Sequence, residues 1–250
     1  MKITLTGLIL ILSLSAFGAE SWINILCYHR VLPKATLFPD VSIENFEKQM
    51  GYIKENFDVI SLSDAVSTIE GKMPLTKNSV VVTFDDGDRS IYRNGWPVMK
   101  KFKLPFAVFP YTNVVNEGGR GLTWEEMREL SVAGVEFGSH GISHYFMDRK
   151  KKQESEQAYE ERVKRELIES KETLAEKIGA EITFFAYPFG KFNAFDQDEA
   201  VKAGYTAVLT TQGGPCRPGA DVDKLNRRMI NKNLTLEGFM AMLTRNGTEK

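Results

Sequence analysis

Short apolar runs, rich in β-branched and aromatic residues, recur along the chain between longer amphipathic stretches. Six stand out: Ile23-Asn24-Ile25-Leu26-Cys27-Tyr28, Val80-Val81-Val82-Thr83-Phe84, Phe106-Ala107-Val108-Phe109, Val135-Glu136-Phe137-Gly138, Ile182-Thr183-Phe184-Phe185-Ala186 and Thr206-Ala207-Val208-Leu209. Near-continuous hydrophobicity over so few residues suits parallel strands buried on both faces. Between them, Ile43, Phe46, Met50, Ile53 and Phe57 repeat at helical spacing behind Ser42, and Thr123-Trp124-Glu125-Glu126 is a capping box whose helix Gly134 closes. Strand-then-helix order predicts an α/β fold with a parallel sheet. With Met229-Ile230 added, about seven parallel strands are expected, enough for a distorted or incomplete (β/α) barrel.

The stretch from Arg149 to Gly179 is densely charged around one apolar stripe of Val163, Leu167, Leu174 and Ile178, which predicts a long surface helix. Its charge runs, Arg149-Lys150-Lys151-Lys152 among them, read as a solvated face. No internal repeat or linker divides residues 19–250, which are read as one catalytic domain.

The amino terminus has its own pattern. Lys2 precedes an uncharged apolar run from Ile3 to Phe17, then Gly18-Ala19-Glu20, as in a secretory signal peptide over residues 1–18 cleaved before Ala19. The apolar run is short for a membrane anchor, so a periplasmic or secreted protein without a stable anchor is expected. Export would place Cys27 and Cys216 in an oxidising compartment, where one disulfide could form. The two cysteines are too few for a cysteine-rich structural zinc site.

The 32 basic and 33 acidic residues give a formal charge of -1. Without a global basic field, a nucleic-acid partner is not expected. Scarcity is more informative, because the chain has 3 histidines. His140 and His144, in Ser139-His140-Gly141-Ile142-Ser143-His144, follow one buried strand at a spacing of four. On a helical turn, or across a tight turn opened by Gly141, both rings could face one ion. Thr83-Phe84-Asp85-Asp86-Gly87-Asp88 follows another strand, where adjacent carboxylates repel unless a cation sits beside them. One carboxylate with two imidazoles is a catalytic zinc arrangement that leaves positions open, and the second carboxylate can then take a proton from water.

These residues resemble the polysaccharide deacetylases of carbohydrate esterase family 4. Thr83-Phe84-Asp85-Asp86-Gly87 is similar to the first family motif, Ser139 to His144 to the second, and Tyr187-Pro188-Phe189-Gly190 to the third. The resemblance implies Asp85 as general base and Asp86, His140 and His144 as ligands of one divalent ion, zinc first, with cobalt or nickel as alternatives. It also implies Phe189, through its N–H, and Tyr187 as oxyanion and substrate-binding positions.

Three departures accompany the resemblance. Ala186 stands where the family usually has an arginine bracing the catalytic aspartate, and Arg227 or Arg228 could replace it. Asp88 occupies a position where an aromatic residue is common. The family's carboxy-terminal Leu-x-His is absent, leaving His29, in Cys27-Tyr28-His29-Arg30, as the remaining histidine. Such a segment resembles the circularly permuted exopolysaccharide and peptidoglycan deacetylase branch, which implies His29 as general acid.

The expected reaction is metal-dependent removal of the N-acetyl group from N-acetylglucosamine in a glycan polymer. Peptidoglycan is the first choice, with poly-N-acetylglucosamine exopolysaccharide as the alternative. A carbohydrate-binding member with impaired catalysis is a further alternative, prompted by Ala186. Tyr111, Trp124, Tyr145, Phe192 and Phe195 are candidates for sugar stacking, and a non-haem iron oxygenase is disfavoured by the strand–helix alternation.

Overall fold

A computed structural model describes residues 21–245. The proposed signal segment, residues 1–18, lies outside these described residues. Seven parallel strands follow the sequence expectation closely: β1 (Ile23–Tyr28), β2 (Ser79–Asp86), β3 (Ala107–Pro110), β4 (Glu136–Phe137), β5 (Phe184–Ala186), β6 (Ala207–Leu209) and β7 (Arg228–Met229). Around them lie α1 (Ile43–Asn56), α2 (Leu62–Ile69), α3 (Trp96–Phe102), α4 (Trp124–Val132), α5 (Glu156–Ile178), α6 (Ala194–Lys202) and α7 (Leu236–Thr244). Ser42 caps α1, and Thr123 with Glu126 completes the capping box of α4.

The hydrogen-bonded order β7-β1-β2-β3-β4 forms one sheet, with the short strand Asp58–Val59 also pairing with β2; β5-β6 forms another, and Arg30–Leu32 pairs with Asp40–Ser42 apart from both. The sheets are not joined as a closed ladder. Single bridges cross the two gaps, Ser139 to Phe185 on one side and Leu209 to Leu225 on the other. The result is the distorted, incomplete barrel that the pattern predicted.

Alternation along each strand creates two apolar regions. Ile23, Ile25, Val81, Ala107, Phe109, Phe184, Ala186, Ala207 and Leu209 cluster inside the barrel with Leu62, Ala65, Val66 and Ile69 of α2. Leu26, Tyr28, Val82, Phe84, Val108, Phe137 and Phe185 face outward into the helix layer. The inward parity of Val81 continues through Thr83 to Asp85, carrying a carboxylate into the upper interior.

Two expectations need revision. The charged helix begins at Glu156, capped by Ser155, so Arg149 to Glu154 belong to the preceding loop. Its buried stripe also includes Arg162, Glu166 and Ser170, so the face is less solvated than its charge suggests. Cys27 and Cys216 are both free and buried. Cys216 pairs with Ile23, four residues before Cys27, placing the two about 13 Å apart along β1 by strand rise.

Candidate active site

The two aspartates at the end of β2 diverge. Asp85 remains inside the barrel, 2% exposed, and meets the fully buried Arg227. Arg227 Nη1 donates to Asp85 Oδ1 at 2.7 Å and Nη2 to Oδ2 at 2.6 Å, a bidentate pair, while Nε donates to the Thr210 carbonyl at 2.9 Å. Of the two candidate replacements for the arginine missing at position 186, Arg227 fills the role. Ala186 faces the same interior and leaves it uncrowded. Arg228 points to the other side and donates to Asn24 Oδ1 at 2.6 Å.

Burial would raise the Asp85 pKa, but the Arg227 charge, with His140 and the Arg227 hydrogen bonds, holds it far below the usual carboxylate range. The Cys27 thiol donates to Asp85 Oδ2 at 3.4 Å and is itself pushed well up by burial. Ligand-type atoms of Cys27, His29 and Asp85 lie within 4.8 Å of one another, bringing His29 to the aspartate from the end of β1. His29 Nδ1 is buried without a hydrogen-bond partner.

Asp86 breaks the strand with φ 67° and turns toward the histidines. Its Oδ1 lies 3.2 Å from His144 Nε2 and 3.6 Å from His140 Nε2, although neither contact has hydrogen-bond geometry. A buried carboxylate oxygen facing two imidazole nitrogens without a proper donor suits a shared cation. Asp86, His140 and His144 can bring one ligand atom each within 4.8 Å. This donor set fits a divalent ion of the zinc type.

The turn after Asp86 depends on Gly87. Its φ is 69°, and a Cβ there would lie 2.7 Å from Pro110 Cβ. Asp88 caps the following turn by accepting from the Ser90 N–H at 2.8 Å, replacing aromatic packing with a backbone hydrogen bond.

The second motif forms a tight turn, not a helix, after β4. Gly141 has φ 80° and His144 has φ 54°. His140 Nδ1 lies 2.6 Å from the Ala186 carbonyl oxygen. Donation to that carbonyl fixes the tautomer that leaves Nε2 available to a metal. Burial lowers the His140 pKa to about 4, so the ring remains neutral at ordinary pH.

In the third motif, Phe189 adopts φ 60° and is 45% exposed. Its ring stacks on Phe146 at 4.0 Å and lies 4.6 Å from the His144 ring, while Tyr111 approaches His144 from another direction at 5.2 Å. Tyr187 points outward into the core, stacks on Phe192 at 4.9 Å and is fully buried. Its ring therefore supports the loop through packing. Of the candidate sugar-stacking residues, Tyr111 lies beside the group of Asp86, His140 and His144. Trp124 and Phe195 pack against the core, and the Tyr145 ring lies beneath Lys151.

The profile of the polysaccharide deacetylase family matches residues 72–208. The chain belongs to the polysaccharide deacetylase family. Its relatives include N-deacetylases, hydrolases acting on the amide bonds of N-acetylated sugars. This deacetylase is 26% identical to the poly-β-1,6-N-acetyl-D-glucosamine N-deacetylase of Escherichia coli K12, over 92% of its own length and 38% of that protein. It is 29% identical to the enzyme of that name from Staphylococcus aureus, over 76% of this chain and 68% of that one. The structure of IcaB from Ammonifex degensii is similar with TM-score 0.79 and 28% identity, covering 90% of this chain and 96% of that chain.

Sequence patterns left Arg227 unresolved from its neighbour. They also missed Glu166 and Ser170, which touch the second motif from α5. Their position beside the apolar residues Val163 and Leu167 was the available signal.

Proposed function

We propose that this deacetylase is an exported, divalent-metal-dependent enzyme that removes N-acetyl groups from a β-1,6-linked N-acetylglucosamine polymer. Cell-wall glycan is the alternative substrate. The carrying observation is the division of labour between adjacent aspartates, with Asp85 held by Arg227 and Asp86 facing His140 and His144. The names of the Escherichia coli and Staphylococcus aureus relatives favour poly-N-acetylglucosamine over the peptidoglycan preference drawn from sequence. Arg227 also removes the reason for reading Ala186 as a sign of lost catalysis.

Asp86, His140 and His144 would hold the ion, which supplies Lewis-acid polarisation of the acetyl carbonyl and lowers the pKa of water. Asp85 takes the proton from the attacking water. Arg227 keeps Asp85 ionised and fixes its two oxygens, so the base does not have to be organised during reaction. The Phe189 N–H is assigned to the developing oxyanion. His29 donates a proton to the departing amine nitrogen, since an unprotonated amine leaves poorly.

The test measures acetate release from β-1,6-linked N-acetylglucosamine oligomers and from wall glycan, before and after chelation. Chelator-sensitive release from the oligomers supports the proposal. Faster release from wall glycan reverses the substrate order. A zinc-loaded protein that binds both glycans and releases acetate from neither supports the carbohydrate-binding alternative.

A further inference from the structure

The metal-facing histidines sit on a turn whose backbone is held from outside the barrel. Glu166 of α5 is 4% exposed. Its Oε2 accepts from the Ile142 N–H at 2.6 Å and the Ser143 N–H at 3.0 Å, while Oε1 accepts from the Ser143 hydroxyl at 2.5 Å. Thus one carboxylate binds both residues between Gly141 and His144. One turn further along α5, Ser170 Oγ lies 2.7 Å from Ser139 Oγ, immediately before His140. One turn earlier, Arg162 donates to the carbonyls of Phe146 at 3.3 Å and Arg149 at 3.0 Å. Residues 162, 166 and 170 share a helical face through their i, i+4 spacing.

Gly141 is part of the same arrangement. At φ 80°, a Cβ on this residue would stand 2.8 Å from Glu166 Oε2. The glycine gives the carboxylate room beneath the turn, and the carboxylate satisfies N–H groups that the turn leaves unpaired.

We infer that Glu166 is a positioning residue for metal binding: it fixes the backbone between His140 and His144 so that their imidazoles converge with Asp86 before an ion arrives. This rests on the metal reading of those three residues. A turn organised in advance loses less conformational freedom on binding, which raises affinity without another ligand.

Zinc affinity of the chelator-stripped protein, measured by competition with a chromophoric chelator, tests the inference. Glu166→Ala should weaken zinc binding about 10- to 100-fold, the range for outer partners of metal ligands. Glu166→Asp should do likewise, because its carboxylate is withdrawn although its charge remains. Glu166→Gln retains reach and one acceptor oxygen, so it should restore much of the affinity. Leu167→Ala, at a fully buried neighbour, provides a control that lowers stability without touching the turn. Its zinc affinity should remain unchanged.

Wild-type affinity in Glu166→Ala, or an equal loss in Leu167→Ala, overturns the positioning role. If Glu166→Ala fails to fold, wild-type affinity in Glu166→Asp has the same meaning. Failure of the unaltered protein to bind zinc, cobalt or nickel overturns the metal reading itself and this inference with it.

Discussion

Asp85 and Asp86 are consecutive, yet they belong to differently built centres. Asp85 sits in a strand-walled interior and is gripped by an arginine 142 positions away in sequence. Asp86 is itself a left-handed break at the strand end and faces histidines on a loop, which in turn rests on α5. The first centre is organised by the strand order β7-β1-β2, which brings Arg227 to Asp85, and the second by local turns braced from outside. The adjacent carboxylates therefore rest on different supports, with His140 Nε2 near both, 4.0 Å from Asp85 Oδ2 and 3.6 Å from Asp86 Oδ1.

Arg227→Leu should be the most severe challenge to that separation. It leaves the Asp85 charge buried without its partner, so a loss of about 3–5 kcal/mol in urea unfolding is expected, together with loss of turnover. Zinc affinity in the fraction that folds should persist. Its disappearance would show that the centres are one unit.

Paired aspartate variants sharpen the same division. Asp85→Asn should retain zinc and lose about 10²- to 10⁴-fold in turnover, as expected for removal of a general base. Asp86→Ala should lose both zinc and turnover. An active Asp85→Asn protein would remove Asp85 from the base role. His29→Ala should reduce acetate release without releasing zinc, and near-normal release would remove His29 as the acid.

Acid should also distinguish the centres in chelator-stripped protein. The unfolded His140 ring takes a proton near pH 6.5, whereas the folded ring does so at about 4. Between those values the unfolded state binds more protons, so stability is full above pH 6.5 and falls as pH drops toward 4, by up to about 3 kcal/mol. Urea unfolding at pH 7 and pH 5 measures the slope, and a His140→Gln protein should flatten it. The smallest expected effect is that of Cys27→Ala, which removes one weak S–H donor while the bidentate Arg227 contact remains. Equilibrium unfolding should change by about 1 kcal/mol.

Much of this arrangement was legible in the sequence because its determinants are local. Short apolar runs marked the strands, while the motifs containing Asp85, His140 and Phe189 fell at strand ends. The bracing arginine was less legible. Arg227 and Arg228 are adjacent, and only strand parity within the assembled barrel sends the first inward and the second toward Asn24. Glu166 was missed for a different reason. Its charge is one of many along a solvated helix, although it lies beside Leu167 on the buried stripe.

The joints on either side of β5 and β6 leave the barrel wall unevenly stitched. Each joint is crossed by one isolated bridge, whereas β1 and β2 are paired over six residues. Side chains cross where the ladders do not, His140 Nδ1 meeting the Ala186 carbonyl at one joint and Arg227 Nε the Thr210 carbonyl at the other, like cleats over a seam. The loop carrying Phe189 follows β5, so the same side chains that form the site also fasten that loop to the wall holding Asp85.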